Sequence, residues 1–385
     1  MKIASRIKKV PPSGIRKFFD IVSELEGVIS LGVGEPDFVT PWHIREACIY
    51  ALEKGFTMYT SNYGMIELRE EISNYLKNRF KVEYDPENEI LVTTGVSEAL
   101  DLAIRATVDI GDVAIIHEPN YVSYKPCVIF AGGEVKIVET KEENRFKLIP
   151  EELEKAVSDK TKILIINYPN NPTGAVMRKK ELEEIADVVI ENDMLVISDE
   201  IYAELTYGGK HISLASLNGM RERTILLNGF SKAYAMTGFR IGYACGPSQL
   251  VEAMMKIHQY CMLCAPITSQ KAAIEALRRG YPEVKKMVEH YNQRRRFIVK
   301  RLNEMGLNCI EPQGAFYAFP SIRDLNMSSE EFSTKLLKEE RVVVVPGNTF
   351  GNSGEGFIRC SYATSLKSIE EAMLRMERFV LKHLK

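Results

Sequence analysis

Five short apolar runs, at residues 113–117, 135–138, 163–167, 194–198 and 224–228, recur through the middle of the chain with helical or loop segments between them. Each is too short for a helix and too continuously apolar for a strand with one face in water, so each reads as a strand buried on both faces. Buried strands alternating with helices require a mostly parallel sheet covered on both sides, an α/β fold in three layers, with ligands gathered at the carboxyl ends of the strands. At 385 residues the chain exceeds one compact core, which predicts a large unit over 46–284 and a smaller α+β unit over 285–385 that the N-terminal segment, 1–45, joins in space. The smaller unit carries apolar runs at 341–345 and 357–361, and Ser328 and Ser368 each precede a glutamate by three residues, as at a helix start. Residues 281–304 read as one long amphipathic helix on which Arg294-Arg295-Arg296 would form a solvated face, and a shorter amphipathic stretch covers 15–25.

The last apolar run leads into Asn228-Gly229-Phe230-Ser231-Lys232-Ala233-Tyr234-Ala235-Met236-Thr237-Gly238-Phe239-Arg240-Ile241-Gly242. A buried strand would hold Lys232 on rigid backbone. A lysine becomes nucleophilic toward a carbonyl when burial or a nearby cation destabilises its ammonium, and Arg240 is a candidate for that cation. Small residues at 229, 235, 238 and 242 would leave room for a bulky group. A lone Ser-Lys pair would read as a solvated loop; ten positions fixed in spacing over residues 229–242 are far more specific.

That pattern resembles the pyridoxal-phosphate lysine signature of the class I and II aminotransferases, the fold type I group. The resemblance implies that Lys232 forms an imine with the cofactor aldehyde, and it extends in family order over most of the chain. Gly34, in Gly34-Glu35-Pro36-Asp37, would otherwise be a turn glycine; the resemblance sets it against the substrate carboxylate. Tyr59, ahead of a helical stretch, would reach the cofactor phosphate of a neighbouring subunit, which implies a homodimer with shared sites. Gly95, Val96 and Ser97 end a strand and open a helix, a junction whose free N–H groups and dipole suit phosphate, and they are similar to the family's phosphate loop. Tyr121 corresponds to the aromatic residue stacked on the pyridine ring, though a core tyrosine would look the same.

Asn171, in Asn170-Asn171-Pro172-Thr173-Gly174, would hydrogen-bond the cofactor's phenolic oxygen and help bind substrate, and Tyr202 would share that oxygen. Asp199 leaves a buried strand and needs a cationic or hydrogen-bonded partner to stay ionised; the resemblance supplies the protonated pyridine nitrogen. Ser231 and Arg240 would complete the cofactor site. Arg359 lies between apolar neighbours and needs an anionic partner that its planar fork can grip twice. A structural salt bridge would satisfy it, whereas the resemblance gives it the substrate's α-carboxylate. In the implied reaction Lys232, Asp199 and Tyr202 are catalytic, with Lys232 carrying a proton between substrate and cofactor.

With 50 basic against 52 acidic residues, nothing favours nucleic acid or an anionic membrane as partner. A basic N-terminus without an apolar core, and no run long enough to span a bilayer, give the expectation of a cytoplasmic protein. Seven scattered cysteines suit a reducing compartment. Cys261-Met262-Leu263-Cys264 has no accompanying ligand cluster, so no metal is expected and the pair reads as partly buried thiols in a loop. The six histidines show no catalytic spacing. Abundant Lys, Glu and Ile with scarce Gln hint at a heat-adapted source.

Acid-specific relatives in this family look to have lysine where this chain has Ser97. The opening Pro11-Pro12-Ser13-Gly14-Ile15-Arg16-Lys17-Phe18-Phe19-Asp20 and Val345-Pro346-Gly347 are similar to archaeal aromatic aminotransferases. The expectation is transfer from an aromatic L-amino acid to a 2-oxo acid such as 2-oxoglutarate. Aspartate transamination is the nearest alternative and a pyridoxal-phosphate β-lyase the alternative of another class. A cofactor-dependent regulator would need a DNA-binding segment for which 385 residues leave no length.

Overall fold

A computed structural model describes residues 2–12, 14 and 27–384. The five apolar runs become β3 (Val113–Glu118), β4 (Glu134–Glu139), β5 (Thr161–Asn167), β6 (Leu195–Asp199) and β7 (Thr224–Gly229), hydrogen-bonded in parallel. With β2 (Ile90–Thr93) and β8 (Gly242–Cys245) they form a seven-stranded sheet in the order β2-β8-β7-β6-β5-β3-β4. Strand β8 is antiparallel to both neighbours; the apolar runs did not reveal it, because it is short and opens on a glycine.

Successive side chains of a strand point to opposite faces, and both faces are apolar. Ile163, Ile165, Ile197, Ile225 and Leu227 pack on one side with Leu100, Ile104 and Met254 of the helices Val96–Thr107 and Ser248–Cys261. Leu164, Ile166 and Val196 pack on the other with Leu182, Ile185 and Val189 of Lys179–Glu191. Each such side chain contributes about 1.5–3 kcal/mol by leaving water, which explains runs of apolar residues instead of alternation.

Toward the C-terminus, β9 (Tyr317–Ala318), β11 (Val345–Pro346) and β12 (Ile358–Ser361) form an antiparallel sheet in the order β11-β12-β9. The strand β1 (Ile29–Ser30) pairs in parallel with β10 (Val342–Val343) and so attaches this part of the N-terminal segment to the region. Ser328 caps Ser329–Glu340 by accepting from the Glu331 N–H at 3.1 Å. The final helix, Leu366–His383, is capped by Ser365 and not by Ser368, which instead donates its own N–H to the Ser365 hydroxyl at 3.1 Å. The expectation for residues 15–25 falls outside the described residues.

The long helix spans Tyr281–Glu304, but of its arginine run only Arg296 is solvated. Arg294 is buried and holds the Asp37 carboxylate at 2.7 Å, while buried Arg295 donates to the Pro312 carbonyl at 2.8 Å. Their partners lie on segments distant in sequence, so the helix periodicity could not show the burial.

Candidate active site

The carboxyl ends of β3, β5, β6 and β7 and the start of Val96–Thr107 open on one cavity of about 550 Å³. Gly34, Val96, Ser97, Tyr121, Asn171, Asp199, Tyr202, Ser231, Lys232, Arg240 and Arg359 all line it, having come from segments spread over most of the chain. Gly95 sits at the edge against Arg240. Tyr59 does not reach the cavity of its own chain: it is 79% exposed.

Two glycines of the lysine stretch work differently from the expectation of room for a bulky group. Gly229 and Gly242 are paired across β7 and β8, and a Cβ on Gly242 would stand 2.7 Å from the Val96 nitrogen and 2.8 Å from the Gly95 carbonyl carbon. The space is needed for backbone: these glycines let the lysine turn dock against the start of Val96–Thr107. That helix has Gly95 at its N-cap, with φ 79° and no side-chain cap. Its first N–H groups therefore lack partners within the helix, and the Arg240 guanidinium packs where a Gly95 side chain would be. Hydroxyls of Ser97 and Ser231 complete a compact, electropositive cradle.

Lys232 follows the end of β7 by three residues and donates from Nζ to the Gly34 carbonyl at 2.7 Å. Burial, with smaller contributions from Arg359 and Arg240 and an opposing one from Glu35, lowers its amine to about 8. Gly34 must remain glycine, since a Cβ would collide with the Tyr317 hydroxyl.

Asp199, at the end of β6, is 5% exposed. Its carboxylate accepts from the Tyr124 hydroxyl at 2.8 Å and the Ile201 N–H at 3.2 Å, and no cation pairs with it among the described residues. Burial raises it to about 6 despite those donors. Asn167 donates to the Asp199 carbonyl at 2.8 Å and accepts from the Asn171 N–H at 3.1 Å, which locks the β5 and β6 turns together.

Arg359, on β12, is 2% exposed and forms no ion pair among the described residues. It donates to the Asn171 side-chain oxygen at 2.9 Å and the Gly32 carbonyl at 2.6 Å, and its Nε has no partner. The guanidinium lies 4.4 Å from the Tyr317 ring centre and 4.8 Å from that of Phe350. The structural salt bridge considered from sequence is therefore absent, and a desolvated fork borders the cavity.

The sequence reading missed Tyr124, Tyr317 and Glu35. Tyr124 follows Tyr121 by three residues, a helical spacing that could have suggested a shared face. Tyr317 meets the Tyr202 hydroxyl at 2.8 Å across 115 positions, and no local pattern foretells it. Among the described residues no His/Cys/Asp/Glu group could hold a metal, and Cys261 is exposed, not partly buried like Cys264. No helix of the described residues is long and apolar enough to cross a membrane.

Comparison with known proteins bears on this arrangement. A profile of the family described as aminotransferase class I and II matches residues 26–376. The chain is 48% identical over 388 residues to aromatic-amino-acid aminotransferase 2 of Thermococcus litoralis, covering 100% of each. It is 50% identical over 381 residues to an aspartate aminotransferase of Pyrococcus abyssi, covering 98% of each. The crystal structure of an aromatic aminotransferase from Pyrococcus horikoshii superposes with a TM-score of 0.91 at 49% identity, covering 95% of this chain and 99% of that one.

Proposed function

The chain belongs to the class I and II aminotransferases, and from that premise we propose that its cavity binds pyridoxal phosphate and serves an aromatic L-amino acid as donor with a 2-oxo acid such as 2-oxoglutarate as acceptor. One observation carries this reading: a single cavity holds a desolvated lysine, a buried carboxylate without a cation and a buried arginine with an unpartnered Nε.

The residues present fit the cofactor. Gly95, Val96, Ser97, Ser231 and Arg240 form a phosphate cradle, Tyr121 offers a ring face, and Asn171 and Tyr202 offer donors to a phenolic oxygen. Asp199 would hold a protonated ring nitrogen, the cation its burial lacks, and Lys232 would hold the aldehyde carbon. When bound, the group supplies an electron sink for the carbanion left when the substrate loses its α-proton.

The chain's own residues do the rest. Lys232 Nζ, lowered to about 8, is unprotonated often enough near neutrality to accept that proton and return it elsewhere. Arg359 grips the α-carboxylate in two parallel hydrogen bonds, and stacking on Tyr317 keeps its fork in plane. Gly34 lets this wall close on the substrate. Tyr124 fixes the Asp199 carboxylate through a 2.8 Å bond.

The preference for aromatic donors rests on the lining. Its cationic residues are Lys232, Arg240 and Arg359, and the roles above occupy all three. Within one subunit none remains for the second carboxylate of aspartate, whereas Val33, Leu100 and Tyr317 offer apolar and aromatic surface. The distal carboxylate of 2-oxoglutarate then has to meet neutral donors or a second subunit. A homodimer would supply one. Asn62 holds the Leu263 carbonyl at 2.7 Å and so links the segment carrying exposed Met58 and Tyr59 to the one carrying exposed Tyr260 and Met262, apolar surface that a second copy would cover while taking Tyr59 toward its cradle. A cytoplasmic location accords with seven cysteines and with no disulfide among them.

Initial rates with tyrosine, phenylalanine, aspartate and alanine, each with 2-oxoglutarate, test the proposal. Tyrosine and phenylalanine should lead. A strong aspartate preference would overturn the specificity, and release of thiol, pyruvate and ammonia from a cysteine S-conjugate, in place of amino exchange, would favour the β-lyase.

A further inference from the structure

A second cavity, of about 620 Å³, lies on the far side of the turn that follows β6. Tyr202 lines the active-site cavity, and the next two residues, Ala203 and Glu204, line this one. Its other wall is the start of Tyr281–Glu304. The volume is in the range of small-molecule sites.

The cations around it outnumber their partners. Arg79 is used up by Glu204, which it grips through Nε at 2.9 Å and through a terminal nitrogen at 2.6 Å. Lys81, Lys210 and Lys285 also line the cavity, and among the described residues none of them has an ion pair. Glu289 is the single lining carboxylate left to oppose them. Between these charges the floor is apolar, with Phe80, Ile212, Val284 and Val288.

One buried polar group is aimed into this space. His211 lines the cavity although its side chain is only 5% exposed. Its Nε2 lies 2.8 Å from one oxygen of Glu200, whose other oxygen accepts from the hydroxyls of Ser198 and Ser213 and the N–H of Leu214 at 2.9–3.2 Å. Phe80 packs edge-on against the ring. With so many donors on the carboxylate, His211 gives it the Nε2 proton, and Nδ1 is left without a protein partner among the described residues. With Nε2 turned to the Glu200 carboxylate, Nδ1 is the ring nitrogen left for a bound ligand.

We infer that this cavity binds a small polyanion with an apolar body, the chemistry of a nucleoside diphosphate, its charges on Lys81, Lys210 and Lys285, its polar edge beside His211 and its body on the Phe80–Val288 floor. The inference does not depend on the donor preference proposed above.

Calorimetric titration of the pyridoxal-phosphate-saturated protein with ADP, pyrophosphate and adenosine tests it, because the loaded cofactor blocks the phosphate cradle of the first cavity. ADP should bind at low ionic strength and more weakly as salt rises, with adenosine and pyrophosphate each weaker than ADP. The double variant Lys210→Ala/Lys285→Ala, altered at two exposed positions outside the active site, should weaken ADP about tenfold or more while aminotransferase rates stay unchanged. No ADP binding at low salt, or equal binding to the double variant, overturns the site. Pyrophosphate binding as tightly as ADP overturns the role given to the apolar floor.

Discussion

Asp199 and Glu200 are consecutive carboxylates at the end of one strand, both buried, and their surroundings differ sharply. Glu200 is surrounded by partners, with two hydroxyls, a backbone N–H and the His211 ring. Asp199 has the Tyr124 hydroxyl and one backbone N–H, and otherwise faces the active-site cavity. Because side chains alternate along a strand, the pair points to opposite sides of the sheet end, one into the proposed cofactor site and one into the wall of the second cavity. A buried carboxylate whose needs are met by protein holds the fold together, whereas one left unmet is waiting for a ligand.

The sharpest way to break that contrast is to neutralise each in turn. Asp199→Asn should lower kcat by about 10²–10⁴, the scale of losing an electrostatic or proton-holding group, while the apoprotein becomes more stable near neutrality. The sign follows from the carboxyl's rise to about 6: the folded state binds more protons than the unfolded one between about 4 and 6. Stability conferred at low pH is thus lost as pH rises through that window, and asparagine removes the loss. Glu200→Ala should act the other way, costing about 3–5 kcal/mol by stranding its donors while folded enzyme keeps turning over within a few-fold. Urea melts and active-site-normalised rates separate the two. Equal loss of activity from both, with no gain in stability for Asp199→Asn, would erase the distinction.

The contrast between the two acids was half visible in the sequence. An aspartate leaving a buried strand in a recognisable context singled out Asp199, and the five apolar runs gave the parallel strands because burial on both faces writes a continuous signal. Glu200 carried no such mark, since its partners Ser213 and Leu214 come from a loop that no periodicity describes. The same limit hid the burial of Arg294 and Arg295, whose partners Asp37 and Pro312 are remote in the chain. It also hid the purpose of Gly229 and Gly242, which became evident only when the start of Val96–Thr107 was found against them. The helix-start error was local: Ser365 and Ser368 are both serines in one turn, and only the geometry shows which accepts the N–H.

Two buried arginines extend the comparison at a smaller scale. Arg295 ends on a backbone carbonyl and the Glu311 carboxylate, whereas Arg359 has an unpartnered Nε and borders the cavity. Arg359→Lys should raise KM for both the amino acid and the 2-oxo acid by about tenfold to a hundredfold, since a point charge cannot reproduce the fork. Arg295→Lys should leave both KM values near wild type and lower Tm instead. An unchanged KM for both substrates in Arg359→Lys would move it into the structural class of Arg295.

The mildest perturbation changes only pH. Burial disfavours the Lys232 ammonium, so its amine at about 8 is unprotonated in about a tenth of molecules at pH 7, against fewer than one in a thousand for a lysine near the ordinary value of about 10.4. Between about 8 and 10.4 the folded apoprotein binds fewer protons than the unfolded chain, so its stability rises with pH through that window, and Lys232→Met should flatten the rise. Labelling of the cofactor-free protein with a slow acylating reagent, followed peptide by peptide in a mass spectrometer, should show Lys232 reacting with a midpoint about two pH units below that of a free lysine peptide in the same solution. Coincident midpoints would mean that burial does not activate the amine, and the proton-carrying role would have to depend on what binds beside it.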